Sequence, residues 1–269
     1  MTGPFGGKAT IVTGAGRGFG KAIALNFAKQ GASVTVTSRS KAQLDETVRE
    51  IEAAGGKALA VAGDVTNRDD VNMVVAAARD AFGPADILVS NAGITGPFGP
   101  VWAIDPDEWW EAHQVHVRGA LLYSNAVLPE MVERRSGHII VISALAATVV
   151  APNMSAYCVA KSSQNRLVAF IAAEVKPYNV AAFALEPGMV ITDLARGTKA
   201  DPGAQKWVPQ MVERITMMEK DVDPAPGLAK CADLCAKLAS GSYDALSGMY
   251  LDVRDDIDAT LRAVSTTST

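Results

Sequence analysis

Thr13-Gly14-Ala15-Gly16-Arg17-Gly18-Phe19-Gly20 is the stretch of the sequence that decides the fold. It follows an apolar run at residues 9–13 and opens an amphipathic segment that is typical of a helix. Glycines at such a strand-to-helix junction permit a tight turn and a close approach of the backbone to a pyrophosphate. The first helical turn then presents unpaired N–H groups and a positive dipole end to the anion. We therefore expect dinucleotide contacts from Gly14, Arg17, Gly18, Phe19 and Gly20.

Short β-rich runs alternate with longer helical patterns from residue 8 to about residue 252. This alternation predicts βαβ units, and hence a single-domain α/β protein with a doubly wound (Rossmann) fold, a parallel sheet of about seven strands and helices on both faces. The domain is expected to span residues 1–269. Strands are predicted at residues 9–13, 33–38, 57–62, 86–90, 138–143, 180–185 and 249–252. Helices are predicted to begin near residues 18, 41, 67, 107, 155, 202 and 226.

One segment breaks this rhythm beside a predicted ligand site. Residues 189–226 are charged and rich in methionine, with weak helical patterns, and they directly follow a strand end. In a doubly wound sheet the ligand lies outside the carboxyl ends of the strands. We therefore expect residues 189–226 to form a substrate lid.

Composition excludes several classes of function. The 269 residues are 49% hydrophobic and 20% charged, with a net charge of -4, so no basic field favours nucleic acid as a partner. The sequence has neither a signal-peptide pattern nor the roughly 18 apolar residues of a membrane span, which predicts a cytoplasmic protein with no membrane partner. Three cysteines are too few for a disulfide framework and lack further ligands for a metal site, so we expect no metal, and Cys231 and Cys235 are interpreted as small buried residues.

The end of the second predicted strand bears on the choice of cofactor. An acid in this region hydrogen-bonds the 2′-hydroxyl of NAD in many dinucleotide-binding folds. Here Ser38 and Arg39 stand in its place, and Arg17 lies in the glycine turn. Two cations and a missing acid favour NADP(H), whose 2′-phosphate they could hold, with NAD as the alternative. Each arginine taken singly could equally lie on a solvated face.

Tyr157 and Lys161 are the candidate chemical centre. They lie four residues apart at the start of a predicted helix and so share one helical face. A free tyrosine titrates near 10, so its pKa must fall by about 2 to 3 for it to work near neutral pH. A neighbouring ammonium together with a nicotinamide cation could supply that change. The same spacing also occurs by chance in inert helices.

Taken together, these motifs resemble those of the short-chain dehydrogenase/reductase family along the whole chain. Five of them occur in the family's order and spacing: the glycine turn, Asp64-Val65, Asn91-Ala92-Gly93, the Tyr157/Lys161 pair, and Pro187 to Thr192. The resemblance implies an NAD(P)-dependent oxidoreductase in which Tyr157 is the general acid/base and Lys161 modifies its pKa and binds the ribose. It also implies cofactor contacts from Asp64, Val65, Asn91, Ala92, Gly93, Pro187, Gly188, Val190 and Thr192.

Two positions depart from the family pattern. The serine that the family places 13 residues before the tyrosine is Ala144 here, and the loss of one oxyanion donor costs on the order of 10²- to 10³-fold in other enzymes. Ser143 adjoins it but would face the opposite side of a strand unless the backbone turns there. The asparagine that supports a water relay to the lysine is His116, which could bind that water or simply pack in its helix. Ser143 and His116 are therefore candidate catalytic residues.

Three functions remain open at this point. The retained tyrosine and lysine favour a carbonyl reductase or alcohol dehydrogenase that moves a hydride between the nicotinamide and a small molecule. The alternatives are non-redox chemistry, such as dehydration or isomerisation, and a cofactor-binding protein with little turnover. Five aromatic residues near the expected site favour an apolar, cyclic or aromatic substrate: Phe98, Trp102, Trp109, Trp110 and Trp207.

The resemblance also implies a homo-oligomer, either a dimer or a tetramer. Family members pair through the helices that follow residues 107 and 155 and through the last strand. In this chain these helices offer a set of apolar candidates for the interface: Ala120, Leu121, Leu128, Leu167, Phe170 and Ile171.

Overall fold

A computed structural model of the chain describes residues 3–267, so residues 1, 2, 268 and 269 of the predicted domain lie outside the described part. All strands join one parallel sheet, which confirms the predicted doubly wound α/β fold. The strands are β1 (Ala9–Thr13), β2 (Ser33–Ser38), β3 (Lys57–Ala62), β4 (Ile87–Ser90), β5 (Gly137–Ile142), β6 (Val180–Glu186) and β7 (Tyr250–Asp252). Their order across the sheet is β3-β2-β1-β4-β5-β6-β7.

Helices cover both faces of this sheet. They are α1 (Gly18–Lys29), α2 (Lys41–Ala53), α3 (Arg68–Phe82), α4 (Pro106–His113), α5 (Gly119–Arg134), α6 (Ser155–Val175), α7 (Asp193–Ala200), α8 (Pro202–Trp207), α9 (Pro209–Asp221), α10 (Ala225–Leu238) and α11 (Ile257–Thr267). Side-chain caps explain two of the starts: Asn67 accepts from the first N–H groups of α3, and Asp105 does so for α4. None of the helices in residues 3–267 is long and apolar enough to cross a membrane.

The core lies on both sides of the sheet. Along β1, Val12 packs with α1 and α10, whereas Ile11 packs with α3, α5 and α6 on the opposite face. A strand buried on both faces is characteristic of parallel sheets that are covered by helices. Cys231 and Cys235 are fully buried in the first of these two clusters, which confirms their interpretation as small core residues.

The sheet changes its winding direction between β1 and β4, and this point fixes the position of the ligand crevice. The backbone N–H of Asn91, just after β4, donates to Oγ1 of Thr13 at 2.9 Å. The side-chain amide of Asn91 donates to the carbonyl oxygen of Thr13, also at 2.9 Å. These bonds hold the two strand ends together below the glycine turn. In doubly wound folds the ligand binds at this switch point.

Five strand ends differ by one residue from the prediction. β4 begins at Ile87, and the side chain of Asp86 just before it accepts from the backbone N–H of Ala9 at 2.9 Å. β5 begins at Gly137 and ends at Ile142, β6 ends at Glu186, and β7 begins at Tyr250. The larger difference lies in residues 193–221, where the sequence predicts one helix start and the structure has three helices.

Candidate active site

A cleft of about 980 Å³ opens at the carboxyl ends of the strands, which is near the upper end of the size range of small-molecule sites. With a single exception, every residue predicted for the site lines it. These residues are Gly14, Arg17, Gly18, Phe19, Ser38, Arg39, Asp64, Val65, Asn91, Ala92, Gly93, His116, Ser143, Tyr157, Lys161, Pro187, Gly188, Val190 and Thr192.

The glycine turn has the geometry that a bound pyrophosphate requires. Gly14 and Gly18 have φ angles of 63° and 55°, a region that favours glycine. Gly20 is the exception to the lining prediction, because it lies behind the turn and not on the cleft wall. A Cβ atom there would lie 2.3 Å from the carbonyl oxygen of Gly14. The role of Gly20 is therefore to let α1 pack closely against the turn.

The end of β2 offers a polar group and a cation to a ligand. Oγ of Ser38 is buried and has no hydrogen-bond partner within residues 3–267. Arg39 beside it is exposed and lines the cleft. Arg17 approaches from the glycine turn, but its guanidinium lies 3.3 Å from the carboxylate of Asp193 at the start of α7. An unpartnered hydroxyl next to a guanidinium fits the phosphorylated or free ribose of a nicotinamide dinucleotide.

Lys161 is buried close to Tyr157 on the same face of α6. Its Nζ atom lies 5.7 Å from the centroid of the Tyr157 ring and donates to the carbonyl oxygen of Ile142 at 2.7 Å. Burial lowers the pKa of Lys161 to about 7, against the opposing charge of Glu186, which raises it. The end of β5 thus fixes the ammonium beside the phenol.

The phenol is held in its protonated form by the residues around it. Burial raises the pKa of Tyr157 above its ordinary value, and the charges of Glu186 and Cys158 raise it further. The lysine alone therefore does not lower this pKa into the neutral range. A positive ligand in the cleft is needed to favour the phenolate. From the sequence, this ligand is expected to be the oxidised nicotinamide, acting together with the lysine.

Ser143 faces the neighbouring helix. Its side chain is 2% exposed, and its hydroxyl donates to Oδ1 of Asn165 on α6 at 2.6 Å. A serine hydroxyl has one proton to donate, so this proton is not directed at a substrate oxygen. Ala144, at the family's serine position, also lines the cleft and offers no donor.

His116 lies in a π-helical turn, residues 114–118, that joins α4 to α5. Its ring is 1% exposed and stands edge-on to Tyr157, with 5.5 Å between the ring centroids. Nε2 lies 2.7 Å from the carbonyl oxygen of Ile94 and 3.3 Å from its backbone nitrogen, and the shorter contact favours the tautomer that carries the proton on Nε2 and leaves Nδ1 as an acceptor. Burial and the charge of Lys161 lower the pKa of His116 well below 6.5, so the ring is neutral near pH 7.

The packing of His116 also explains a glycine. A Cβ atom on Gly93 would lie 2.5 Å from Cε1 of the histidine ring. Nδ1 of His116 is buried without a hydrogen-bond partner among the described residues. His116 therefore packs tightly in its helix, which is the first of the two interpretations of this residue. Its Nδ1 atom also remains free to accept a hydrogen bond beside Tyr157, which the second interpretation, the binding of a water, requires.

The expected aromatic lining is wrong. The cleft is lined by none of the five predicted aromatic residues. Trp102 and Trp110 are 89% and 57% exposed, Phe98 is buried in a small cluster with Met154, and Nε1 of Trp109 donates to Ser155. Aliphatic and methionine side chains take the expected place: Leu145, Val149, Met154, Met189, Leu194, Met211, Ile215 and Met218.

Glu186 and Arg214 are cleft residues that the sequence analysis missed. Glu186 is the last residue of β6 and is 6% exposed. Its Oε1 atom accepts from the N–H of Gly188 at 3.2 Å, whereas its Oε2 atom has no hydrogen-bond partner among the described residues. Its position at a strand end, directly before Pro187, is the signal that could have identified it. Arg214 lies on α9, where the weak helical pattern gave no indication of which face meets the cleft.

Comparisons with known proteins agree with this geometry. Residues 8–203 match the sequence model of the short chain dehydrogenase family. A short chain dehydrogenase of Pseudocercospora fijiensis is 35% identical over 258 residues, which are 95% of this chain and 82% of that protein.

Solved structures of two related proteins hold nicotinamide cofactors. A metagenomic short-chain oxidoreductase in complex with NADP is 31% identical, with a TM-score of 0.71 over 88% of this chain and 92% of that one. A 7α-hydroxysteroid dehydrogenase, complexed with NADH and 7-oxo glycochenodeoxycholic acid, is 30% identical, with a TM-score of 0.80 over 92% and 93%. Fold, cleft and sequence together place this chain in the short-chain dehydrogenase/reductase family of NAD(P)-dependent oxidoreductases.

Proposed function

We propose that this protein is an NADP(H)-dependent carbonyl reductase or alcohol dehydrogenase that acts on an apolar small molecule. The observation that carries the proposal is the burial of Lys161 against Tyr157, in the same cleft as the glycine turn. An unpaired ammonium beside a protonated phenol is costly to bury, and it is useful where a proton must be exchanged with a substrate oxygen.

The cofactor would lie across the switch point of the sheet. The N–H groups around Gly14 and Gly18 would bind the pyrophosphate, Asp64 and Val65 would flank the adenine, and residues 187–192 would hold the amide of the nicotinamide. Arg39 supports the choice of NADP(H), since it is exposed at the cleft with no carboxylate beside it at the end of β2. Arg17 would join it on release from Asp193.

When bound, the nicotinamide supplies or accepts a hydride. In the direction of reduction, the carbonyl carbon gains a C–H bond from the hydride while its C=O π bond breaks. Tyr157 gives the phenol proton to the oxygen, which becomes the hydroxyl of the product alcohol. Lys161 then stabilises the phenolate until a proton arrives from solvent. His116 would position a water or a substrate hydroxyl through Nδ1.

The lid residues support an apolar substrate. Thr198 on α7 and Met211, Ile215 and Met218 on α9 line the cleft, and we propose that residues 189–226 close over the substrate. Apolar walls with a few polar groups are typical of sites that bind small organic molecules. A cyclic substrate remains compatible with this lining, although none of the five predicted aromatic residues contributes to it.

We also propose a homo-oligomer, with a smaller set of contacts than the sequence suggests. Leu121 and Phe170 are 48% and 52% exposed on α5 and α6, as an interface requires. Ala120 and Ile171 are buried inside the chain and are withdrawn from the predicted interface. Light scattering would measure the oligomeric state.

The reaction is tested with a panel of ketones plus NADPH and of secondary alcohols plus NADP⁺, followed by the nicotinamide absorbance. The proposal predicts cofactor turnover with at least one apolar member. Formation of product without a change in the absorbance would instead favour dehydration or isomerisation. Cofactor binding without any turnover over the whole panel would favour a binding protein.

A further inference from the structure

Arg214 is a solvent-exposed residue that carries a positive charge at the cleft wall, on a helix face that is otherwise apolar. It lines the cleft from α9 together with Met211, Ile215 and Met218. These four positions are spaced at i, i+3, i+4 and i+7, so they share one face of the helix. The function proposed above assigns no role to this guanidinium.

Two other arginines near the cleft, Arg17 of the glycine turn and Arg196 of α7, are neutralised by acidic partners, whereas Arg214 is not. Arg17 lies 3.3 Å from Asp193, and Arg196 lies 3.1 Å from both Asp193 and Glu219. The side chain of Arg214 forms neither an ion pair nor a hydrogen bond with another residue in the described range 3–267. The charge is therefore available to a ligand.

The position of Arg214 along α9 separates it from the phosphate-binding end of the cleft. Met211, near the start of the helix, packs in the same cluster as Tyr157. Glu219, near its end, belongs to the ion-pair network that reaches Arg17 at the glycine turn. Arg214 follows Met211 by three residues, or about 4.5 Å along the axis, and so lies towards the tyrosine end.

We propose that Arg214 binds an anionic group of the substrate, and that the substrate is an apolar carbonyl or alcohol that carries a carboxylate. This inference rests on the proposed function, because it takes the reacting oxygen to lie at Tyr157. A guanidinium matches a carboxylate in planar, bidentate geometry, and the methionine and isoleucine side chains of the same helix face give the cleft wall an apolar surface beside it. The same side chains would contact the apolar body of the substrate.

The probes are octanoate and octanamide, which share one alkyl chain and differ in charge. Each is titrated by calorimetry into the full-length protein at saturating NADP⁺. Octanoate is expected to bind about fivefold to tenfold more tightly than octanamide, as a partly exposed, bidentate ion pair allows. Arg214→Met should abolish the preference, and Arg214→Lys should keep part of it. Lys220→Met is the matched control on α9, since Lys220 is exposed and does not line the cleft.

Three results would overturn the assignment: equal affinities in the wild type, no binding of either probe, or a preference that survives Arg214→Met. Thermal unfolding of each variant checks that it is folded. The comparison of octanoate with octanamide in the wild type does not depend on any variant. A separate titration with NADP⁺ and NAD⁺ tests the proposed function. If the protein binds the cofactor and reduces a ketone but binds octanoate and octanamide equally, the proposed function stands and the role of Arg214 is contradicted.

Discussion

The hydroxyl of Ser143 donates a 2.6 Å hydrogen bond to Oδ1 of Asn165, and so it points away from the place where a substrate oxygen must meet Tyr157. The residue that adjoins it, Ala144, occupies the cleft wall without a donor. In the proposed reaction, the tyrosine and its lysine would therefore act without the oxyanion donor that the family pattern places at position 144.

The first prediction concerns this missing donor. Ser143→Ala should lower kcat/KM for a ketone by less than about tenfold, because the lost hydroxyl binds Asn165 and not the substrate. Ala144→Ser should raise it, by up to about 10²-fold, because a donor to the developing oxyanion is restored. Steady-state kinetics of both variants on one ketone measure the two effects. A fall of 10²-fold or more in Ser143→Ala would show that this hydroxyl reorients towards the substrate.

The second prediction concerns the arginine at the end of β2. Arg39→Ala should weaken NADPH binding about tenfold and leave NADH binding nearly unchanged, because only NADPH carries the 2′-phosphate. Fluorescence titration with both cofactors gives the two dissociation constants. Arg49→Ala is the control, since Arg49 lies on α2 outside the cleft lining. Equal losses for the two cofactors, or a wild type that prefers NADH, would contradict the assignment of NADP(H).

The third prediction concerns the buried carboxylate of Glu186. It acts on both Tyr157 and Lys161 and keeps one oxygen without a partner among the described residues. A negative charge beside the ring should favour the positively charged oxidised nicotinamide over the neutral reduced one. Glu186→Gln should therefore weaken NADP⁺ about tenfold relative to NADPH, measured at pH 8 because burial and the charge of Asp252 raise the pKa of this carboxyl above its ordinary value.

The control for that experiment is Glu174→Gln, an exposed position on α6 outside the cleft lining. An unchanged ratio of the two dissociation constants in Glu186→Gln would place the carboxylate too far from the ring to act on its charge. Because the readout is binding, it does not depend on the identity of the substrate.

The fourth prediction is a pH dependence of stability. The pKa of His116 is lowered in the folded protein, so between that value and 6.5 the unfolded chain binds the extra proton and the folded chain does not. Stability therefore falls as the pH drops below 6.5. Relative to the wild type, His116→Gln should lose about 1.4 kcal/mol less of its free energy of unfolding between pH 7.5 and pH 5.5. Urea unfolding at the two pH values measures this difference. Parallel losses in both proteins would mean that the histidine titrates normally.

Much of the fold could be predicted because its signals are local. The glycine turn, the apolar strands and the capping residue Asn67 each depend on neighbours in sequence, and the structure confirms the elements they indicate. Parallel strands then bring their carboxyl ends to one edge, which collects distant motifs into one cleft. The helices of residues 193–221 were harder to predict, since their apolar faces are narrow and meet a cleft rather than a core.

The direction of individual side chains could not be predicted in the same way. Ser143 donates to Asn165 on α6, a helix distant in sequence. The π-helical turn contains one residue more than an α-helical turn, which changes the direction of the His116 ring, and no periodic pattern in the sequence reveals it. Trp102 shows the converse error, because an aromatic residue near the site in sequence is 89% exposed in the structure. Such contacts depend on tertiary packing.

The central claim is that hydride moves to a carbonyl carbon while Tyr157 supplies the proton. The most direct test follows transfer of deuterium to the product alcohol by mass spectrometry, from NADPH that carries deuterium at both C4 positions, in the wild type and in Tyr157→Phe. We predict one deuterium on the carbinol carbon of the wild-type product, and a rate that falls by about 10²- to 10⁴-fold in the variant. A product that carries no deuterium, or a variant as fast as the wild type, would contradict the claim.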